Sequence, residues 1–170
     1  MRTSDPPEVT PEDAISDLYR ASSLRLARAA LLLVGDRATA EDVVQEAFYG
    51  LQRRWLRDGG PDDPAAYVRT AVMNGCRSVL RRRRAARLMR VVHDTPVWSA
   101  ESAALLGEER RAVLEEIARL PQRQREILVL RFYLDMSEAE IASELGVSRG
   151  TVSSTASRAL ATLANRLEGR

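Results

Sequence analysis

Helix-start signals recur along this chain at short intervals, and each is followed by apolar residues spaced three and four apart. In "TPED", Thr10 stands as an N-cap, Pro11 at the first helical position and Asp13 at the third. Ile15, Leu18, Tyr19, Ser22, Leu26 and Ala29 then form one stripe, until Gly35 and Asp36 break it. "TAED" restarts a helix with Thr39 as the expected cap, and Val43, Val44, Ala47, Phe48, Leu51 and Trp55 mark its inner face. "DGGPDDP" is a loop, and Asp63 with Pro64 opens a third helix with Tyr67, Val68, Ala71, Val72, Cys76, Val79 and Leu80 inside. A chain punctuated this way folds as packed helices. Its composition agrees, because aromatics are only 5% while alanine, leucine and arginine, all strong helix formers, are abundant.

After the third helix the pattern loosens. "MRVVHDTPVWSAE" carries Pro96 and an isolated Trp98 and reads as a linker, with Ser99 placed to cap a short helix through Leu106. A second helical block begins around Glu108, with Val113, Leu114 and Ile117 on one face, and Pro121 resets it before "QRQREILVLRFY". The expected architecture is all-α: two small helical domains joined by a linker, each burying one shared core.

The second block ends in "SEAEIASELGVSRGTVSSTASRALATL". Ser137 and Glu140 form a capping box. Gly146 falls where the chain must turn, Val147 fills the gap between two helices, and Ser148 caps the next. Ala142, Gly146 and Val152 thus keep the small–turn–apolar spacing of a helix-turn-helix. The outward positions of its second helix are Arg149, Thr151, Ser153, Ser154, Ser157 and Arg158. Hydroxyls of this kind touch phosphates and base edges but add little salt-dependent affinity. The element reads DNA weakly and is expected to act with other contacts.

Charge places those other contacts. All 26 basic residues are arginine, and residues 12–90 hold fifteen of them against ten carboxylates, while residues 108–170 hold ten of each. Much of the surplus lies in "RRRRAARLMR". Several function classes fall away. Cys76 and His93 are the only residues of their kinds, too few for a disulfide or a Cys/His metal site, and no nucleophile–base pair or phosphate loop is visible, so the chain is read as no enzyme and as needing no cofactor. Cys76 reads as a small buried apolar residue. No apolar run approaches a membrane span, and the polar N-terminus lacks a signal peptide's core, so no membrane insertion is expected and the compartment is the cytoplasm.

A weak DNA reader behind a basic helical domain suggests a protein that binds DNA within a larger machine. Three segments, "GDRATAEDVVQEAFYGLQRRW", "AAYVRTAVMNGCRSVLRRRR" and "LPQRQREILVLRFYLDMSEAEIASELGVSRGTVSSTASRAL", occur in the order and separation of a bacterial extracytoplasmic-function sigma factor, of the sigma-70 superfamily. The chain resembles that family from about residue 12 to residue 168. The resemblance implies a flexible tail over residues 1–11, a sigma region 2 domain over 12–90, a linker over 91–107 and a sigma region 4 domain over 108–170. It implies core RNA polymerase and promoter DNA as partners, and an anti-sigma factor as a common further one.

The resemblance also carries roles. Glu41, Asp42, Gln45 and Glu46 match the segment that docks on polymerase. Asn74 matches the asparagine ahead of the loop that receives a flipped-out −10 base. Arg77, Arg81 and Arg84 recur at helical spacing as a cationic ridge for the opened strand, with Arg82, Arg83 and Arg87 flanking. The six outward residues from Arg149 to Arg158 take the −35 role. Many relatives carry lysine or arginine where Ser153 and Thr155 stand, a departure that tethering to polymerase makes tolerable. Two rivals are weaker. A stand-alone helix-turn-helix regulator leaves the acidic face of "AEDVVQEAF" and the arginine ridge unused, and a helical adaptor leaves the whole DNA-reading pattern unexplained.

Overall fold

The computed structural model describes residues 10–89 and 111–168. The tail, the linker with His93, Trp98 and the expected Ser99–Leu106 helix, and the side chain of Arg87 lie outside the described residues. Every regular element among those described is helical: α1 (Pro11–Val34), α2 (Arg37–Asp58), α3 (Pro64–Met89), α4 (Arg111–Ala118), α5 (Gln122–Leu128) running into a π-helical turn at Val129–Tyr133, α6 (Glu138–Leu145) and α7 (Arg149–Glu168).

The helix starts are fixed by side-chain caps. The Asp13 amide donates to Thr10 Oγ1 at 3.1 Å, and the Ala66 amide to Asp63 Oδ1 at 2.9 Å. The second helix departs from expectation. Its cap is Asp36, which accepts from the Thr39 amide at 2.8 Å, so Thr39 lies inside the first turn. Asp36 wins because it does two things at once. It caps α2, and it takes the guanidinium of Arg83 from α3, which also donates to the Val34 carbonyl and, at 3.1 Å, to Thr39 Oγ1. Burial alone would push the Asp36 carboxyl up, but the Thr39 amide and the Arg83 guanidinium outweigh it and hold it below its usual range. Arg83 is therefore a clamp between α3 and the α1–α2 corner, not a flank of the expected ridge.

The first three helices pack mutually, α1 against α2 and α3, and α2 against α3. At Gly75 of α3 a Cβ atom would lie 2.8 Å from Val43 Cγ1 of α2. The absence of a side chain there sets how tightly α2 and α3 meet. The N-terminal half of α1 buries one side, with Ile15 and Leu18 inward and Tyr19 44% exposed rather than on the inner stripe. From Ala29 to Val34 burial extends all round the helix, a pattern that one neighbouring layer cannot produce.

The last four helices assemble around α7, which α4, α5 and α6 all touch. Leu120, Leu128, Ala159 and Leu163 form a small apolar cluster there. Of the face expected on α4, Leu114 is buried but Val113 faces outward. The π turn was not foreseen. It is closed by the Leu134 amide reaching the Val129 carbonyl at 3.0 Å, one residue further back than an α-helix allows. Asp135 follows in the left-handed region at φ 51°. The two assemblies share one continuous apolar cluster, because α1 packs on α4, α5 and the π turn.

Candidate polymerase and DNA interfaces

Three of the helices present the expected faces, and each is built differently. On α2, Asp42, Gln45 and Glu46 are exposed, while Glu41 is half-buried and paired with Arg37 at 2.6 Å. Glu46 pairs with Arg53 at 2.8 Å, and that hydrogen bond holds the Arg53 guanidinium more firmly protonated. The face is not purely acidic. Gln45 borders an open groove of about 440 Å³ between α1 and α2, lined by Ile15, Tyr19, Phe48, Tyr49 and Gln52. Tyr19 stands edge-on to Phe48, with ring centroids 5.0 Å apart, and Tyr49 is 56% exposed. Sequence reasoning missed this groove because Tyr19 fits the apolar stripe of α1 by spacing. An aromatic pair at Phe48–Tyr49, which a helix must split between inside and outside, was the available signal.

On α3, Asn74, Arg81, Arg82 and Arg84 are exposed. Asn74 Oδ1 accepts from Arg77 at 3.1 Å, and Arg81 and Arg82 both reach Ser78 Oγ, at 3.4 and 3.3 Å. Arg77 departs from the rest. It is half-buried and faces carboxylates of the last four helices, with Glu126 Oε1 at 3.3 Å and Glu144 Oε1 at 3.5 Å. The same face continues one turn back through Thr70, which donates to Glu144 at 2.8 Å, and Arg69, 3.8 Å from Glu140. Neither was singled out from the sequence, although Thr70 precedes Asn74 by four residues and Arg77 by seven, the spacing of one helix face.

Cys76 lies on the inner side of α3. Burial, with the Glu126 carboxylate nearby, pushes its thiol up to about 12, so it stays protonated and serves as packing. Among the described residues no cluster of three His, Cys, Asp or Glu side chains is arranged to hold a metal ion, and no helix is long and apolar enough to cross a membrane.

The third face belongs to α6 and α7. The Ser137 and Glu140 bonds close a complete capping box, whose amide hydrogen bond holds the Glu140 carboxyl below its usual range. Gly146 turns the chain at φ 64°, where a Cβ would be strained, and the Val147 amide returns to the Ala142 carbonyl at 3.0 Å. Ser148 Oγ accepts from the Thr151 amide at 3.1 Å to start α7. Val152 is fully buried, and Arg149, Thr151, Ser153, Ser154, Ser157 and Arg158 all face out. Thr155 does not. It is buried with Ala156 and Ala159, so only Ser153 marks a missing cation on the surface.

Comparison with known proteins identifies the family of the chain. The Sigma-70 region 2 family model matches residues 18–86, and the Sigma-70, region 4 model matches residues 110–163. The RNA polymerase sigma-E factor of Streptomyces avermitilis is 34% identical over 147 residues, covering 85% of this chain and 80% of that protein. The ECF RNA polymerase sigma factor SigL of Mycobacterium tuberculosis is 34% identical over 143 residues, covering 81% and 79%. A probable RNA polymerase sigma factor, RfaY of Xanthomonas campestris pv. campestris, is 36% identical over 148 residues, and this chain spans 36% of its length. Among solved structures, CnrH in complex with the cytosolic domain of CnrY superposes with a TM-score of 0.65 at 29% identity, covering 93% of this chain and 90% of that one. The sigma factor RpoE of Bartonella quintana, in complex with the anti-sigma factor NepR, shares the fold with a TM-score of 0.70 at 20% identity, covering 92% and 96%. With two sigma models matched in order along the chain and relatives 34% identical over most of its length, the chain belongs to the extracytoplasmic-function sigma factors.

Proposed function

We propose a division of labour among the three faces of this sigma factor, whose family directs promoter-specific transcription initiation by core RNA polymerase. Asp42, Gln45 and Glu46, with Glu41 at their margin and the Tyr19–Tyr49 groove beside them, dock on polymerase. Asn74 takes a −10 base out of the stack, and Arg77, Arg81, Arg82 and Arg84 hold the exposed strand's phosphates. The outward side of α7, from Arg149 to Arg158, reads the −35 duplex. In this reading residues 12–90 and 108–170 act as the two working domains, joined by residues 91–107. Sigma factors are in general regulators without enzymatic activity, and this chain contributes binding energy to strand opening without catalytic residues of its own.

The observation that carries this reading is the outward display of Asp42, Glu46, Asn74, Arg81, Arg84, Ser153 and Arg158 on three helices whose opposite sides form the core. A protein that used only its helix-turn-helix would have no need of the first two faces, so the stand-alone regulator is the weaker reading. The work is done where polymerase and promoters are, in the cytoplasm. An anti-sigma factor is a further partner, because CnrH, a structural relative at 29% identity, is held by the cytosolic domain of another protein.

The test is transcription in vitro with purified bacterial core polymerase over a fragmented GC-rich genomic library, with and without the protein. Discrete new transcripts sharing motifs upstream at −35 and −10 are expected. Failure to bind core polymerase would overturn the reading in favour of a stand-alone regulator.

A further inference from the structure

Four arginines lie on α2, and three of them end on a carboxylate: Arg37 on Glu41 at 2.6 Å, Arg53 on Glu46 at 2.8 Å and Arg57 on Asp58 at 2.9 Å. Arg54 is the exception. Its guanidinium carbon stands over the Tyr67 ring of α3, 5.8 Å from the centroid, and its buried Nε–H has no hydrogen-bond partner. Among the described residues it makes no ion pair. A ring face attracts a cation, but an unpaired buried donor costs about as much as that attraction returns. Arg54 is thus held loosely, and a better acceptor displaces it from the ring. The surroundings are closely packed at two points. A Cβ at Gly50 would lie 3.3 Å from Tyr67 Oη, so the absence of a side chain there lets the phenol lie against α2. Gly60, at φ 88°, would put a Cβ 2.9 Å from the Trp55 ring, so the loop into α3 is folded onto α2 beside Arg54. Tyr67, expected inside from its spacing, is half-buried. It precedes Asn74 by seven residues, two turns on one face of α3 and roughly 10 Å along the axis.

We propose that Arg54 is a further specificity-determining residue for the opened strand, reading a guanine that rests on the Tyr67 ring close to the base taken by Asn74. The proposal rests on the sigma reading above. Guanine is the base with two acceptors, O6 and N7, on one edge, and the planar guanidinium fork matches them bidentately. The ring is a surface on which any unstacked base settles, whatever its identity. The choice among bases is therefore left to Arg54. In the exchange Arg54 gives up the ring, the base takes its place there, and the Nε–H gains the acceptor it lacks. Arg81 and Arg84 differ in kind: exposed cations on the ridge serve phosphates, which position a strand without reading it.

The test is a promoter library opened by the holoenzyme. A promoter delivered by the transcription experiment is randomised across its −10 region and offered to core polymerase with the full-length chain. Fragments held in heparin-resistant open complexes are then sequenced. Asn74→Ala marks the position that Asn74 reads, by the preference it loses. The wild type should enrich guanine at a second position close by on the same strand. Arg54→Gln should lower that enrichment about tenfold, a factor within the range of one bidentate base contact, and leave the other positions and core binding unchanged. Arg54→Lys keeps the charge but not the fork and should behave like Arg54→Gln. A further measurement needs no variant: a deazaguanine lacking N7 at that position should weaken open-complex formation by the wild type. A wild type without the second guanine preference, or Arg54→Gln with every preference unchanged, would overturn the proposal and make Arg54 a brace between α2 and α3. A loss spread evenly over all sequences would overturn it too, since Arg54 then supplies fold or phosphate contact and not base reading. Failure of the wild-type chain to bind core polymerase would remove the sigma reading, and this inference with it.

Discussion

The two helices proposed to meet DNA solve opposite problems. On α3 the face is cationic, with Arg77, Arg81, Arg82 and Arg84 within two turns, and part of it is covered by carboxylates from the other end of the chain. On α7 the face is four hydroxyls and two arginines, uncovered, and partly bonded to its own backbone: Ser157 Oγ donates to the Ser153 carbonyl at 3.0 Å and Arg158 Nε to the Ser154 carbonyl at 3.2 Å. A cationic face binds any polyanion, because released counterions favour the complex whatever its sequence. A hydroxyl face has little affinity to misdirect. The difference teaches that the cationic side is the one paired with carboxylates from elsewhere in the chain, and, in the proposed reading, tethering supplies what the hydroxyl face lacks.

That dependence on tethering predicts the largest effect of all. Asp42→Arg with Glu46→Arg reverses the docking face of α2 at two exposed positions, so circular dichroism should show an unchanged helical fold. Co-purification with core polymerase should be lost, and with it transcription through either DNA face. Retained core binding would move the docking site elsewhere, with the Tyr19–Tyr49 groove as the first place to look.

A smaller effect separates the two DNA faces. Arg81→Ala with Arg84→Ala deletes two proposed phosphate contacts to a single strand. The slope of log affinity against log salt should become shallower by roughly 1.4, so that lowering salt from about 200 to 50 mM helps the wild type about sevenfold more than the variant. Open-complex formation, followed by permanganate footprinting of the −10 region, should fall while core binding holds. Equal loss of both would make the ridge structural.

How far the sequence revealed these faces follows from how local their causes are. The helix-turn-helix was legible almost residue by residue, because a capping box, a left-handed glycine and a gap-filling valine all act within ten residues of one another. The start of α2 was misplaced by one turn, since Asp36 and Thr39 are both competent caps, and the choice is made by Arg83 from 47 residues away. Arg83 itself looked like its neighbours in an arginine run, and only the meeting of α3 with the α1–α2 corner gives it a different task. The cover over Arg77 lies 49 and 67 residues off along the chain and leaves no periodic trace. Thr155 shows the same limit on a small scale. The helical register sets it beside Ala156 and Ala159, on the side turned into the core, where a hydroxyl says nothing about DNA.

Ser153 is the position where the contrast between the faces can be narrowed. It is exposed on α7, one residue after the fully buried Val152, and no side chain in the described structure needs its hydroxyl. Ser153→Arg should therefore leave the fold unchanged and add one cation facing duplex DNA. One extra phosphate contact steepens the salt slope by roughly 0.9, which makes the variant gain about 3.5-fold more than the wild type between about 200 and 50 mM salt. The measurement is duplex binding by the free chain at several salt concentrations, because the outward side of α7 is exposed and needs no polymerase to be reached. A steeper slope without a change in preferred sequence would mean that the new arginine meets the backbone and that specificity rests with the hydroxyls and Arg158. No change at all would place Ser153 off the DNA and shift the −35 contact toward Arg149 and Thr151, at the start of the helix.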